Sequence, residues 1–227
     1  MTKRDHQKRE VSLWPPSFDA AIFDFDGTIA ETAHLWQLVD EAFLGSRGIP
    51  LTDDYARALA ALGFERGAIY TIERYGLDDR PEDVVEEWSR LSQALYKTKV
   101  TLKPGARHYI LSLRRRGIPC ALATSNEAHI LDTMEHVSVD DLFDVRVHGN
   151  EVNAPKSEPD IYLEAARRLG AAPERCIVFE DLAAGIRSAR SAGFMTCAVD
   201  TEDPSHSWEE VSSLADIGLL SWEGLAE

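Results

Sequence analysis

Hydrophobic and polar positions follow two different rhythms along this 227-residue chain. Short apolar runs end abruptly in polar residues at 20–23, 120–123, 145–147, 176–179, 195–199 and 217–220. From Pro104-Gly105 onward these runs alternate with helical segments. That alternation predicts a parallel sheet with helices on both faces, residues 217–220 being a candidate edge strand. Between 33 and 99 the rhythm is helical throughout. Leu35, Leu38, Val39, Ala42 and Phe43 mark one buried face, and Val84, Trp88, Leu91 and Leu95 mark another, behind Pro81 at a favourable first helical position. Two shorter helical segments, 53–62 and 65–75, lie between them. The expectation is an α/β fold: a Rossmann-like parallel sheet core (18–32 and 100–227) with an all-helical cap inserted at 33–99. Residues 1–17 are expected to be a loosely ordered tail.

Charge narrows the partners. The 24 basic and 39 acidic residues leave a net charge of −15, which disfavours nucleic acid and anionic membranes. No apolar stretch reaches the roughly 18 residues of a membrane span. The charged start, from Met1 to Glu10, lacks the apolar core of a secretory leader. Cys120, Cys176 and Cys197 have no paired spacing and read as core thiols in a reducing compartment. A cytoplasmic monomer is the default expectation. The run Arg114-Arg115-Arg116 closes a helix, where cations suit the dipole.

Ligands of parallel sheets bind at the carboxyl ends of the strands, and chemistry-bearing residues gather there. Asp24 and Asp26 follow the first run, and alternation places both on the same side of the strand end, with Phe25 between them turned into the core. Two such close carboxylates call for a cation or a shared proton. Gly27 lets the backbone turn and approach a ligand. Thr124, Ser125 and Asn126 follow the second run, Glu180 and Asp181 the fourth, and Lys156 precedes a helix at 159–169. Asp24 can attack phosphorus as a nucleophile, and Asp26 can protonate the leaving oxygen and then activate water. Asp181, supported by Glu180, completes an oxygen-only Mg²⁺ site with Asp24 and the main-chain carbonyl of Asp26. Thr124 and the following N–H groups can hold phosphoryl oxygens, and Lys156 can neutralise them. Taken singly, Thr124 and Ser125 also read as helix caps, Lys156 as a surface lysine and Glu180-Asp181 as a solvated turn.

These motifs, in this order, resemble the haloacid dehalogenase superfamily, in its phosphatase-like members with a helical cap. Asp24-Phe-Asp-Gly-Thr28, Ala-Thr124-Ser-Asn, Lys156-Ser-Glu-Pro-Asp160 and Phe179-Glu-Asp-Leu-Ala-Ala-Gly185 match its four motifs. The resemblance implies catalytic roles for Asp24, Asp26, Thr124 and Lys156, and Mg²⁺ ligation by Asp24, Asp26 and Asp181, with Glu180 close by. Gly27, Thr28, Ser125 and Asn126 are the expected substrate-binding residues beside them. The expected substrate is a small phosphorylated metabolite, hydrolysed through an aspartyl-phosphate. Asp26 argues against C–halogen chemistry, and the absence of lysine between Ala33 and Tyr96 argues against phosphonate cleavage. Ser157-Glu158-Pro159 and Leu182 depart from the usual motifs.

A rival resemblance is to β-phosphoglucomutase, carried by Glu31-Thr32-Ala33 and Gly63-Phe-Glu-Arg66. It makes Arg66 a candidate for holding a second phosphate. The mutases place a histidine ten residues after the acid/base aspartate; here that position is Trp36, with His34 some 200° away around the helix. Specificity is expected in His34, Trp36, Arg66 and Tyr70. A non-catalytic protein of the same fold is the weaker alternative.

Overall fold

The computed structural model describes residues 10–60, 62–152, 154–203 and 206–226. They form a six-stranded, wholly parallel sheet in the order β3-β2-β1-β4-β5-β6. The strands are β1 (Ala20–Phe23), β2 (Cys120–Thr124), β3 (Val145–His148), β4 (Cys176–Glu180), β5 (Met195–Val199) and β6 (Ile217–Leu219). The helices are α1 (Ala33–Gly45), α2 (Asp53–Ala60), α3 (Phe64–Tyr75), α4 (Pro81–Lys99), α5 (Ala106–Arg115), α6 (Ala128–Leu131), α7 (Asp160–Leu169), α8 (Ala183–Ser191) and α9 (Trp208–Leu214).

Strands β1, β2, β4 and β5 are buried along their whole length, as a sheet covered on both faces requires. Alternation then assigns the faces. Ala21, Phe23, Ile177 and Phe179 enter one core, whereas Ala20, Ile22, Cys176 and Val178 enter another with Ile161, Tyr162 and Ala165 of α7. Phe23 and Phe179, partners in register, stack at 4.6 Å between ring centroids. Trp222 packs on both rings and donates its indole N–H to the Thr28 carbonyl at 3.1 Å.

Helices α1 to α4, the first four after β1, have a hydrophobic cluster of their own, built on Val39, Phe43, Leu44, Tyr55, Ala68, Val84 and Trp88. The chain leaves the sheet and returns through adjacent segments, bridged between Ala30 and Leu102 and by Lys103 N–H donating to Ile29 O at 2.8 Å. Helices α1 and α4 pack together and run antiparallel. Trp36 meets Tyr96 at their sheet-proximal ends, and Phe43 meets Trp88 further out.

Residues 10–17 depart from the expected loose tail. Leu13 is buried, and its carbonyl accepts from the Tyr109 hydroxyl at 3.0 Å. An apolar residue two turns of chain ahead of β1 is captured by the sheet's own core. Residues 1–9, with their four basic side chains, lie outside the described residues.

Candidate active site

Strand parity sets up the first half of the site. Ile22 pairs with Val178, so Asp24 and Glu180, two residues further on, project side by side toward α7. Lys156 meets them there, buried, with its ammonium on Asp24 Oδ1 and at 2.6 Å from Glu180 Oε1. Tyr162 of α7 donates to the same Glu180 oxygen at 2.7 Å, and Leu182 N–H donates to the other at 3.2 Å. Burial by itself would lower the Lys156 pKa; Asp24 and Glu180 outweigh it, so the ammonium is held charged, above the ordinary lysine range.

Asp24, Glu180 and Asp181 offer carboxylate oxygens within 4.8 Å of one another. Thr28 Oγ1 lies 3.3 Å from Asp24 and 3.2 Å from Asp181. Burial pushes the Asp24 carboxyl well above the usual range, and Glu180, Asp181 and Asp26 add to it against the pull of Lys156. A cation among these oxygens would remove that cost, so the donor set fits a hard divalent metal. Glu180 is already engaged by three donors, which suits it to orienting Lys156 rather than to ligation.

Asp26 is held by a separate set of neutral donors. Oδ1 accepts from Thr32 at 2.7 Å, from the Trp36 indole at 3.3 Å and from the Tyr96 hydroxyl. Oδ2 accepts from Asn126 at 2.5 Å. Burial nevertheless prevails over these bonds and raises the Asp26 pKa. The strand ends at Phe23, so the expected alternation carries Phe25 into the core but does not set Asp26 beside Asp24's partners; the turn at Gly27 swings it toward α1 and α4. Gly27 has φ +71°, and a Cβ there would stand 2.1 Å from Asp181 Oδ2. Lys103 secures this turn through the carbonyls of Gly27 and Asp200.

Asp24, Asp26, Lys156 and Asp181 line one cavity of about 390 Å³ between the sheet's carboxyl edge and the helical insert. The family model described as haloacid dehalogenase-like hydrolase matches residues 18–193. The chain belongs to this family. This hydrolase is 30% identical over 176 residues to a phosphorylated carbohydrates phosphatase of Thermotoga maritima, covering 77% of this chain and 82% of that one. It is 31% identical to a probable pseudouridine-5′-phosphatase of Drosophila melanogaster, covering 86% and 89%. Its fold superimposes on CbbY from Rhodobacter sphaeroides, crystallised with phosphate, with a TM-score of 0.78 and 28% identity over 92% and 96% of the two chains. The enzyme is a phosphatase of the haloacid dehalogenase-like family.

The other sequence-predicted residues divide. Ser125 and Asn126 line the hydrolase cavity, as does His34 from its exposed place at the start of α1. Thr124 is fully buried at the end of β2, where its hydroxyl accepts from Asn126 N–H at 3.1 Å. Arg66 and Tyr70 are not among the described lining residues. Gly63 and Phe64 open α3 onto the cavity, and Arg66 sits about 200° further around the helix from Phe64, on the exposed side. Tyr70 stacks on Tyr55 and bonds Arg74. Sequence reasoning missed Tyr96, Thr32, Tyr162, Lys103 and His206. The last lies 3.1 Å from Asp181 Oδ2. Thr32 lies within the Glu31-Thr32-Ala33 segment without having been assigned a role; the other four stand in no local motif, and only the fold brings them in.

Proposed function

We propose that this enzyme hydrolyses small phosphate monoesters, including phosphorylated sugars, with Mg²⁺ as cofactor and an aspartyl-phosphate on Asp24 as intermediate. One observation supports this reading above the rest: two carboxylates open on one cavity with different partners. Asp24 faces a buried lysine, and Asp26 faces only neutral donors. Asp24 Oδ attacks phosphorus; the P–O bond to the leaving group breaks, and Asp26 gives that oxygen its proton. Water then attacks the aspartyl-phosphate, Asp26 takes its proton, and inorganic phosphate leaves with the Asp24 carboxylate restored. Lys156, with the N–H groups after Thr124, binds the phosphoryl oxygens. Asp24, Asp181 and the Asp26 carbonyl would hold Mg²⁺, which when bound offsets the repulsion between carboxylate and phosphate. The helical insert would act as a cap that excludes bulk water.

The mutase alternative is disfavoured by Trp36, whose indole donates to Asp26 where a mutase would carry histidine. The test is a panel of phosphate monoesters followed by phosphorus NMR with Mg²⁺ and with excess chelator. Inorganic phosphate should appear only with Mg²⁺. Asp24→Asn, which keeps side-chain size, should lose more than a hundredfold in kcat, about 3 kcal/mol of barrier. Full activity in chelator would overturn the metal assignment. Isomerised sugar phosphate without matching free phosphate would overturn the phosphatase reading.

A further inference from the structure

Asp40 belongs to none of the machinery above, yet it lines the same cavity and is 6% exposed. It makes no hydrogen bond or ion pair with any described residue, and burial raises its pKa to about 7. Trp88, from α4, lines the cavity too, is 3% exposed, and its indole Nε1 has no hydrogen-bond partner among the described residues. The Trp88 indole, buried and unpartnered, carries a desolvation cost of order 1–3 kcal/mol in the free protein, and the Asp40 carboxyl borders the same cavity with no hydrogen bond to the described residues. Their place in the fold fixes which part of a substrate they could reach. Asp40 lies one helical turn beyond Trp36 on the same face of α1, about 6 Å past the contact with Asp26. Trp88 lies two turns of α4 out from Tyr96. Between them, Leu59 and Phe64 supply apolar walls, with the Thr52 side chain at the rim.

The charge around this outer end is also informative. Lys156, at the phosphoryl end, is the one lysine or arginine among the described lining residues, whereas Asp40 and Asp53 line the outer part. An anion placed there would meet these carboxylates, and the guanidinium at the rim, Arg74 at 3.4 Å from Thr52 Oγ1, is already paired with Asp54 at 2.6 Å.

Resting on the phosphatase reading, we propose that Asp40 and Trp88 form a specificity subsite for the leaving group. It takes a neutral group carrying a hydrogen-bond donor beside an acceptor, and rejects a second phosphate. Asp40 accepts from the donor, and the Trp88 N–H donates to the acceptor. Vicinal hydroxyls of a polyol and the N–H/C=O edge of a pyrimidine base both offer this pair.

The test compares kcat/KM for three probes: a hexitol monophosphate, a pyrimidine nucleoside 5′-monophosphate and a sugar bisphosphate. Acetyl phosphate, too short to reach α4, is the reference within each variant. In the wild type, one of the two monophosphates should exceed the bisphosphate by at least tenfold, and which one it is identifies the source of the donor–acceptor pair. Its ratio to acetyl phosphate should fall at least tenfold in Asp40→Leu and in Trp88→Phe, where KM rises more than kcat falls. Trp88→Phe keeps the aromatic packing and carries the test alone if Asp40→Leu does not fold. A ratio within threefold of wild type in the folded variants, or preference for the bisphosphate, overturns the subsite. Absence of Mg²⁺-dependent acetyl phosphate hydrolysis in the wild type overturns the phosphatase reading and the subsite with it.

Discussion

Single side chains in this enzyme have their protonation set by what the fold places against them. Tyr96 donates to Asp26 and so holds its pKa below the level that burial alone would give. Tyr96→Phe removes that donor and leaves the burial. The Asp26 pKa should rise, and the alkaline limb of the kcat/KM profile, where the acid loses its proton, should move to higher pH. An unmoved limb would mean that another group governs it. Asp40 gives a test of stability. Its carboxyl moves from an ordinary 3.8 to about 7 on folding, so between those values the folded state holds a proton that the unfolded chain has released. Stability therefore falls as pH rises through that window, by up to about 4 kcal/mol. Asn does not titrate. Urea midpoints of metal-free Asp40→Asn should gain on the wild type from pH 4.5 to 7 and then keep a constant lead; parallel curves would show that Asp40 titrates normally.

At the scale of elements, the turn after β1 carries the two aspartates of the proposed mechanism and tolerates little. Gly27→Ala asks an L side chain to hold φ +71° and sets its Cβ 2.1 Å from Asp181 Oδ2. The carboxylate must move, and displacement of catalytic groups by about an ångström costs on the order of a hundredfold in rate. We expect that loss in kcat with weakened Mg²⁺ affinity and a cooperative melt, all three measurable on one preparation. A variant with wild-type Mg²⁺ dependence would show that the turn yields without disturbing Asp181. The strands themselves were legible in the sequence, because a central parallel strand must be apolar on both faces and must stop where it meets the ligand. β5 matches its expected run, Met195–Val199, and β2 and β4 each extend one residue further, into Thr124 and Glu180. Helix faces were less legible. The period that places Val84 and Trp88 inward says nothing about where α3 presents its start, and the likeness of Gly63-Phe-Glu-Arg66 to the mutases, which makes Arg66 a candidate, carries no rotation either.

For the molecule as a whole, the motif residues other than Lys156, which lies in the turn ahead of α7, could be read in advance because they sit at strand ends whose direction is fixed by the sheet. Tyr96 and Tyr162 could not, because their roles arise from helices packing across the sheet edge, long after any local pattern has ended, and His206 could not, because it reaches Asp181 from the loop ahead of α9. The same distance in sequence governs assembly. Trp222 packs against Phe23, Tyr109 and Phe179 and closes on Thr28. Trp222→Ala should cost about 3–5 kcal/mol, read from the urea midpoint, and should lower activity even at full folding; unchanged activity in the folded variant would separate this indole from the site. The Trp222–Thr28 bond joins residues 194 positions apart. A ribosome makes Asp24, the proposed nucleophile, early and the indole that steadies its loop only after those further residues have been added. The growing chain thus carries that aspartate on an unfinished support, and on the proposed mechanism competence for phosphoryl transfer arrives with translation of the latch rather than with translation of Asp24.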